Sequence, residues 1–263
     1  MVVLDENERV IRFFSQHIVP MLFLFEKEDS RQQFIITTFV LSVSNYWFLL
    51  TAGHCFNQIK QELIDKGWII KDCHLIDSLG INANFTEPIP FPFDVDKAFF
   101  FSELIDKDIA FDYGLYPLSM YFQNLLLSNN IKSLNEEVWK KQPVSFEIFL
   151  LLGIPAELVK YDENNIQLFP SMFYVDVLPD KPNGFSDVSL PQIYGKITLN
   201  DEMKSIKGMS GGPIFGLRKN DNGELRYWLV SLLSRWLPES HFIATCPIKF
   251  IGQAIEGYIS EIY

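Results

Sequence analysis

Positive charge is scarce in this chain. Its 263 residues carry 22 Lys and Arg against 33 Asp and Glu, a formal net charge of −11. That balance argues against a general nucleic-acid surface, because phosphate binding needs clustered cations, and no nucleic-acid partner is expected. Cysteine is scarcer still. Cys55, Cys73 and Cys246 are odd in number, widely spaced and never paired as C-x-x-C. A disulfide framework or a zinc site therefore has no material to work with; no metal and no cofactor are expected. Long uninterrupted hydrophobic runs are also missing. The stretch from Phe34 to Phe56 holds no charged residue before His54, but Ser42, Ser44, Asn45 and Gly53 break it into two strand-length pieces. It reads as core strands rather than a membrane span. The opening residues, Met1 to Glu8, are acidic and lack the basic n-region of a secretory signal, so a cytoplasmic location is the expectation. What the chain has in quantity is apolar material, 48% hydrophobic residues against 21% charged. That composition belongs to a folded globular protein with room for one large domain or two small ones.

Periodicity predicts a short helix over 5–17 with Val10, Ile11, Phe14 and Ile18 on one side, ended by Pro20. Strands are predicted over 21–25, 34–43 and 46–52, the last delivering His54 at its end. Residues 56–66 look helical, and 82–96, with Pro88, Pro90 and Pro92, read as a loop. A strand over 112–118 precedes two short helices, 121–127 and 135–141, which form a candidate connector between two halves. Short strands follow over 144–153, 166–178, 193–199, 214–217 and 227–233, with Asn220-Asp221-Asn222-Gly223 as a hairpin turn. Ile248, Ile251, Ile255, Ile259 and Ile262 recur at helical spacing, so the chain is expected to close on an amphipathic helix. Many short strands and few long helices predict an all-β barrel or sandwich.

One stretch stands out, Lys207-Gly208-Met209-Ser210-Gly211-Gly212-Pro213-Ile214. Glycine permits backbone geometries that other residues reach only with strain. A serine held among glycines can present its hydroxyl outward while nearby N–H groups meet an anion, which is what an acyl-transfer nucleophile needs. A hydroxyl alone is a weak nucleophile and needs a base. The candidate lies far upstream, in Leu50-Thr51-Ala52-Gly53-His54-Cys55. His17, His74 and His241 sit in no comparable context and read as packing or surface residues.

Thr51-Ala52-Gly53-His54-Cys55 together with Gly208-Met209-Ser210-Gly211-Gly212-Pro213 resembles the trypsin-like serine peptidases of the chymotrypsin fold, in a bacterial-type form lacking the N-terminal activation sequence. The order His, Asp, Ser is also theirs. The resemblance implies two six-stranded antiparallel β-barrels with short connector helices and a C-terminal helix. Residues 1–134 would be the first unit, with an N-terminal helix, a barrel, His and Asp. Residues 135–263 would be the second, with Ser, the oxyanion hole and the closing helix. It implies His54 as general base, Ser210 as nucleophile, and the amides of Gly208 and Ser210 as the oxyanion hole. The acid has two candidates in Asp108-Ile109-Ala110-Phe111-Asp112-Tyr113-Gly114-Leu115. Asp108 matches the family pattern at first sight, but that register puts Asp112 and Gly114 where large buried side chains are wanted. Starting at Asp112 fills those positions with Tyr113, Leu115 and Tyr116, so burial favours Asp112, with Asp108 left open. Ser234 and Arg235 would border the substrate pocket. Lys204 would fall near its floor, where it would favour an acidic side chain unless it is simply a solvated loop lysine; Arg235 and Trp236 would otherwise narrow the pocket.

The chain departs from that family in three ways. Cys55 has no upstream cysteine to pair with, as suits a reducing compartment. Met209 stands where the digestive members carry Asp, and no Ile-Val-Gly-Gly start is present. Thr37 and Thr38 stand where many members have glycine. Gly208-Met209-Ser210-Gly211-Gly212 also fits the G-x-S-x-G elbow of α/β-hydrolases, but only 53 residues follow Ser210 and the alternation of strands and crossover helices is missing. The expected activity is peptide-bond hydrolysis of a polypeptide substrate. The alternative is a catalytically weak module of the same fold that binds peptides or protein partners.

Overall fold

A computed structural model describes residues 5–105, 108–162, 165–188, 190–199 and 203–262. Helix α1 (Glu6–Ser15) starts where Asp5 accepts the Glu8 amide at 2.7 Å. Glu6 and Glu8 in its first turn and Arg12 in its last match the helix dipole. Strands β1 (Met21–Lys27), β2 (Ser30–Ile36), β3 (Phe39–Val43) and β4 (Tyr46–Thr51) follow, then α2 (Gly53–Asn57), whose helical turns run on to Lys66. Next come β5 (Ile69–Leu75), β6 (Ile89–Pro90), β7 (Phe99–Ile105), β8 (Asp108–Pro117), α3 (Met120–Ser128) and α4 (Glu136–Trp139). These strands form two four-stranded sheets, in the orders β2-β1-β5-β6 and β3-β4-β8-β7. The sheets are stitched at one seam by the bridge Ile18–Phe39 and by Val19 N–H donating to Thr38 O at 2.9 Å.

The second half starts with β9 (Ile148–Gly153) and a small hairpin, β10 (Lys160–Asp162) with β11 (Asn165–Gln167). Strands β12 (Ser171–Leu178), β13 (Ile193–Ile197), β14 (Pro213–Lys219), β15 (Leu225–Leu237) and β16 (Phe242–Pro247) then lead into α5 (Ile248–Ile262). With β9 they close a six-stranded barrel, in the order β12-β13-β16-β15-β14-β9. Closure leaves no open strand edge there. A hydrophobic core containing Phe14, Leu49, Leu150, Phe215, Leu232 and Ile251 draws on both halves of the chain. A second cluster around Leu151, Ile197, Ile206, Met209 and Leu233 fills the closed barrel. The all-β class, a closed six-stranded antiparallel barrel and the C-terminal helix expected from the sequence are what the chain adopts, with the first half built as the two four-stranded sheets.

Local differences from the sequence reading have physical causes. The single strand predicted over 34–43 is two, β2 and β3, broken at Thr37 and Thr38. Both side chains turn onto backbone: Thr38 Oγ1 donates to Val19 O, and Thr37 Oγ1 donates to Gly208 O at 3.0 Å. Hydroxyls that bond locally compete with a continuous ladder. The predicted strand over 166–178 breaks at Phe169-Pro170, where proline has no N–H to give. Strands β5, β7 and β16 had no counterpart in the sequence reading. β5 mixes Lys71, Asp72 and His74 into its pattern, while β7 and β16 open on apolar runs whose period is unreadable.

Candidate active site

Antiparallel pairing brings His54 and Asp112 to the same place. In the β4–β8 ladder Thr51 faces Gly114, so the chain continues from β4 into α2, where His54 sits, at the end of the sheet where β8 carries Asp112. Asp112 is completely buried. Its Oδ1 accepts the His54 backbone N–H at 2.8 Å, and its Oδ2 accepts His54 Nδ1–H at 2.8 Å. A carboxylate cannot donate, so in the neutral ring the proton sits on Nδ1 and the lone pair on Nε2 is left available. The His54 side chain is 31% exposed, against 0% for Asp112, so the imidazole reaches solvent while its partner does not. Burial alone pulls the His54 pKa down. The neighbouring Cys55 and the Asp112 carboxylate, which also accepts the Nδ1 proton, outweigh it and hold His54 well above its ordinary range.

A third group completes Asp112. In the β15–β16 ladder Leu233 faces Thr245 and Arg235 faces Ala244, which leaves Ser234 as the extra residue of a bulge. Bulges re-aim a side chain. Ser234 is buried, and its Oγ donates to Asp112 Oδ2 at 2.6 Å. A buried carboxylate without such partners would be strongly disfavoured. Ser234, expected from the sequence to border the pocket, instead supports the acid. Asp108 opens β8 opposite Ile105; its side chain lies outside the described residues.

The serine loop is pressed against the histidine strand. Gly211 has φ +83°, and a Cβ built on it would overlap Thr51 Oγ1 and lie 2.6 Å from Ala52 N. Only glycine allows that approach at that φ. Cys55 Sγ is 3.9 Å from Ser210 O. The same loop is tied to β15 by Gly211 N–H to Leu233 O at 2.7 Å and Leu233 N–H to Gly212 O at 2.9 Å, one residue from Ser234. The structure therefore brings His54, Asp112, Ser234 and the Ser210 loop together through a closed circuit of contacts. Ser210 itself is half-buried and lines a cleft together with Gly208.

Two side chains set the loop's conformation. Met209 is fully buried in the barrel cluster. Its burial is worth about 1.5–3 kcal/mol for a side chain of this size. Thr37 braces the loop from the other half: besides donating to Gly208 O, its hydroxyl accepts the Ile154 N–H at 3.1 Å. Gly208 has φ +94°, and the carbonyl before it, Lys207 O, accepts the Ala156 N–H at 2.7 Å. In a planar trans peptide the N–H points opposite the carbonyl, so the Gly208 amide is turned away from Ala156. Among the described residues, neither the Gly208 nor the Ser210 N–H is taken by an acceptor. Sequence reasoning missed Thr37 and Ala156 as loop supports; their effect depends on backbone bonds across 171 and 51 positions, separations at which local pattern carries no signal.

Lys204 and Arg235, expected at the pocket, both line the cleft beside Ser210. Among the described residues no group of His, Cys, Asp and Glu is arranged to hold a metal ion, and no helix is long and apolar enough to cross a membrane.

No family model matches the chain, and no curated protein matches it. Solved structures similar to it include the thermostable serine protease AL20 from an extremophilic microorganism, 15% identical over 89% of this chain and 92% of that one, TM-score 0.46. Protease Anisep from Arthrobacter nicotinovorans is 15% identical, with 88% and 90% covered and a TM-score of 0.47. Deg5 is 11% identical, with 96% and 95% covered and a TM-score of 0.46.

Proposed function

We propose that the chain is a trypsin-like serine endopeptidase that hydrolyses polypeptides through an acyl-enzyme. Ser210 Oγ attacks the scissile carbonyl while His54 Nε2 takes its proton. Asp112 holds the imidazole with Nδ1 protonated and stabilises the imidazolium, and Ser234 holds Asp112. The Gly208 and Ser210 amides receive the oxyanion. The imidazolium then protonates the departing amine as the C–N bond breaks, and water repeats the sequence on the ester to release the acid and restore the serine. The observation that carries this reading is the pair of 2.8 Å bonds from a fully buried Asp112 to His54, on the element that also touches the Ser210 loop.

A fluorophosphonate probe tests it. Covalent labelling confined to Ser210, lost in Ser210→Ala and strongly slowed in His54→Ala, is the expected result. A folded wild-type chain whose Ser210 never reacts would leave only a peptide-binding module of the same fold.

A further inference from the structure

A cavity of about 530 Å³ opens beside Ser210. In a chain of net charge −11, three of the described residues that line it are cations, Lys204, Lys207 and Arg235, and among the described lining residues none is acidic. Lys204 and Lys207 are exposed at the loop before Ser210. Arg235 is held in place: its terminal nitrogen donates to Gln192 Oε1 at 2.6 Å, and its guanidinium carbon lies 5.2 Å from the Phe185 ring centre. The nearby Glu157 uses Oε1 to accept the Lys204 and Ser205 amides at 3.0 and 3.3 Å, fixing the loop's backbone from outside the lining. Ile206, Leu233 and the Trp236 ring supply apolar surface between these groups.

Hydrogen bonds between ionised groups are the strong ones. A cavity with cations and an apolar stretch at its wall fits a short aliphatic stem ending in a carboxylate. We infer that this cleft selects an acidic side chain, glutamate or aspartate, at the substrate residue whose carbonyl Ser210 attacks. The inference rests on the peptidase reading, and it identifies the substrate class.

Quenched-fluorescence peptides identical except for Glu, Gln, Leu or Lys at that residue test it on the full chain. The expected kcat/KM for Glu exceeds that for Gln by roughly tenfold, the sum of several partly screened charge contacts. The ratio falls toward one in Lys204→Gln and in Arg235→Gln, and shrinks with added salt. A wild-type chain that the fluorophosphonate labels at Ser210 but that cuts Gln, Leu or Lys peptides as fast as Glu overturns the specificity and leaves the peptidase standing. A second arm needs no turnover: Trp fluorescence follows binding of blocked peptides ending in Glu or Gln to Ser210→Ala. Tighter binding of the Glu peptide supports the inference, and equal affinity refutes it.

Discussion

Thr37→Val isolates what one hydroxyl does for the serine loop. The substitution keeps the shape of a fully buried side chain and removes only its polar atom. Two bonds go with it, the 3.0 Å donation to Gly208 O and the 3.1 Å acceptance from Ile154 N–H. Ile154 is buried, so its amide is left without water as well as without a partner. An orphaned buried amide costs about 1–3 kcal/mol, while the half-exposed Gly208 carbonyl recovers much of its loss from solvent. The expected destabilisation is about 2–3 kcal/mol, a fall of roughly 5–10 °C in Tm for a domain of this size. Thr37 also ties the serine loop at Gly208 to Ile154, so turnover should fall by about tenfold, below the roughly 10²–10³ that follows complete loss of an oxyanion donor. Thr37→Ser keeps the hydroxyl and loses one methyl group, about 1 kcal/mol, and should retain the activity. Urea denaturation and single-turnover kinetics on the three proteins check this. A valine variant within 0.5 kcal/mol of wild type on the scale of ordinary surface changes, or a serine variant as impaired as the valine one, would refute the bracing role.

Three further outcomes follow from the same geometry. Ala156→Pro should cut turnover by about 10²–10³ and destabilise by more than about 1 kcal/mol: Pro155 already has extended backbone (ψ 132°) and Ala156 begins a helical turn, so the backbone angles suit proline, but the substitution removes the N–H that holds Lys207 O at 2.7 Å and sets a ring carbon against that oxygen; transient acylation kinetics and thermal melts report the two effects. Activity should rise with pH through a midpoint above the usual histidine value, because His54 must lose a proton to act as base and Asp112 holds that proton more tightly; Asp112→Asn should lower kcat by roughly 10³–10⁴ and move the midpoint to lower pH, read from kcat/KM profiles. Burial pushes His17 down to about 4 from its usual 6.5; its neutral ring donates to Lys132 O at 2.7 Å and meets Tyr227 OH at 2.9 Å. The unfolded chain therefore binds the extra proton, so stability is fully present above pH 6.5. About 3 kcal/mol is lost as pH falls from there to about 4. Melts of His17→Gln over that range should lose most of this slope.

The sequence carries the chemistry of the site better than the scaffold that positions it. Gly208-Met209-Ser210-Gly211-Gly212 and Thr51-Ala52-Gly53-His54 are local signals, because close backbone approach and positive φ can be met by few residue types. The balance between Asp108 and Asp112 was tipped by burial, since alternation within one strand predicts which positions face inward. The seam at Thr37 and Thr38 was not legible: β-branched threonine promotes strand, and only the arrival of Val19 and Gly208 from elsewhere gives both hydroxyls something better to do. Ser234, expected at the pocket border, is buried with its hydroxyl on Asp112. Alternation along β15 assigns it a face, and the bulge between Leu233 and Arg235 then reassigns it.

That bulge bears on how a chain with no acid at position 209 keeps its serine loop in order. An ion pair to a freed N-terminus would act on the loop from one direction and depend on processing. Here three contacts act from three directions: Met209 buried in the barrel, Thr37 from the first half, and the Ala156 N–H on Lys207 O. None of these three carries a charge or titrates, and among the described residues the one carboxylate on the loop, Glu157, holds only the Lys204 and Ser205 amides, six and five residues before Ser210, so the loop's order at Ser210 should be independent of pH and salt while the His54–Asp112 pair is not. Fluorophosphonate labelling rates divided by the fraction of deprotonated His54 should therefore be flat across pH and ionic strength. A residual salt or pH dependence in that quotient would mean that the Glu157 carboxylate on the Lys204 and Ser205 amides sets the loop after all.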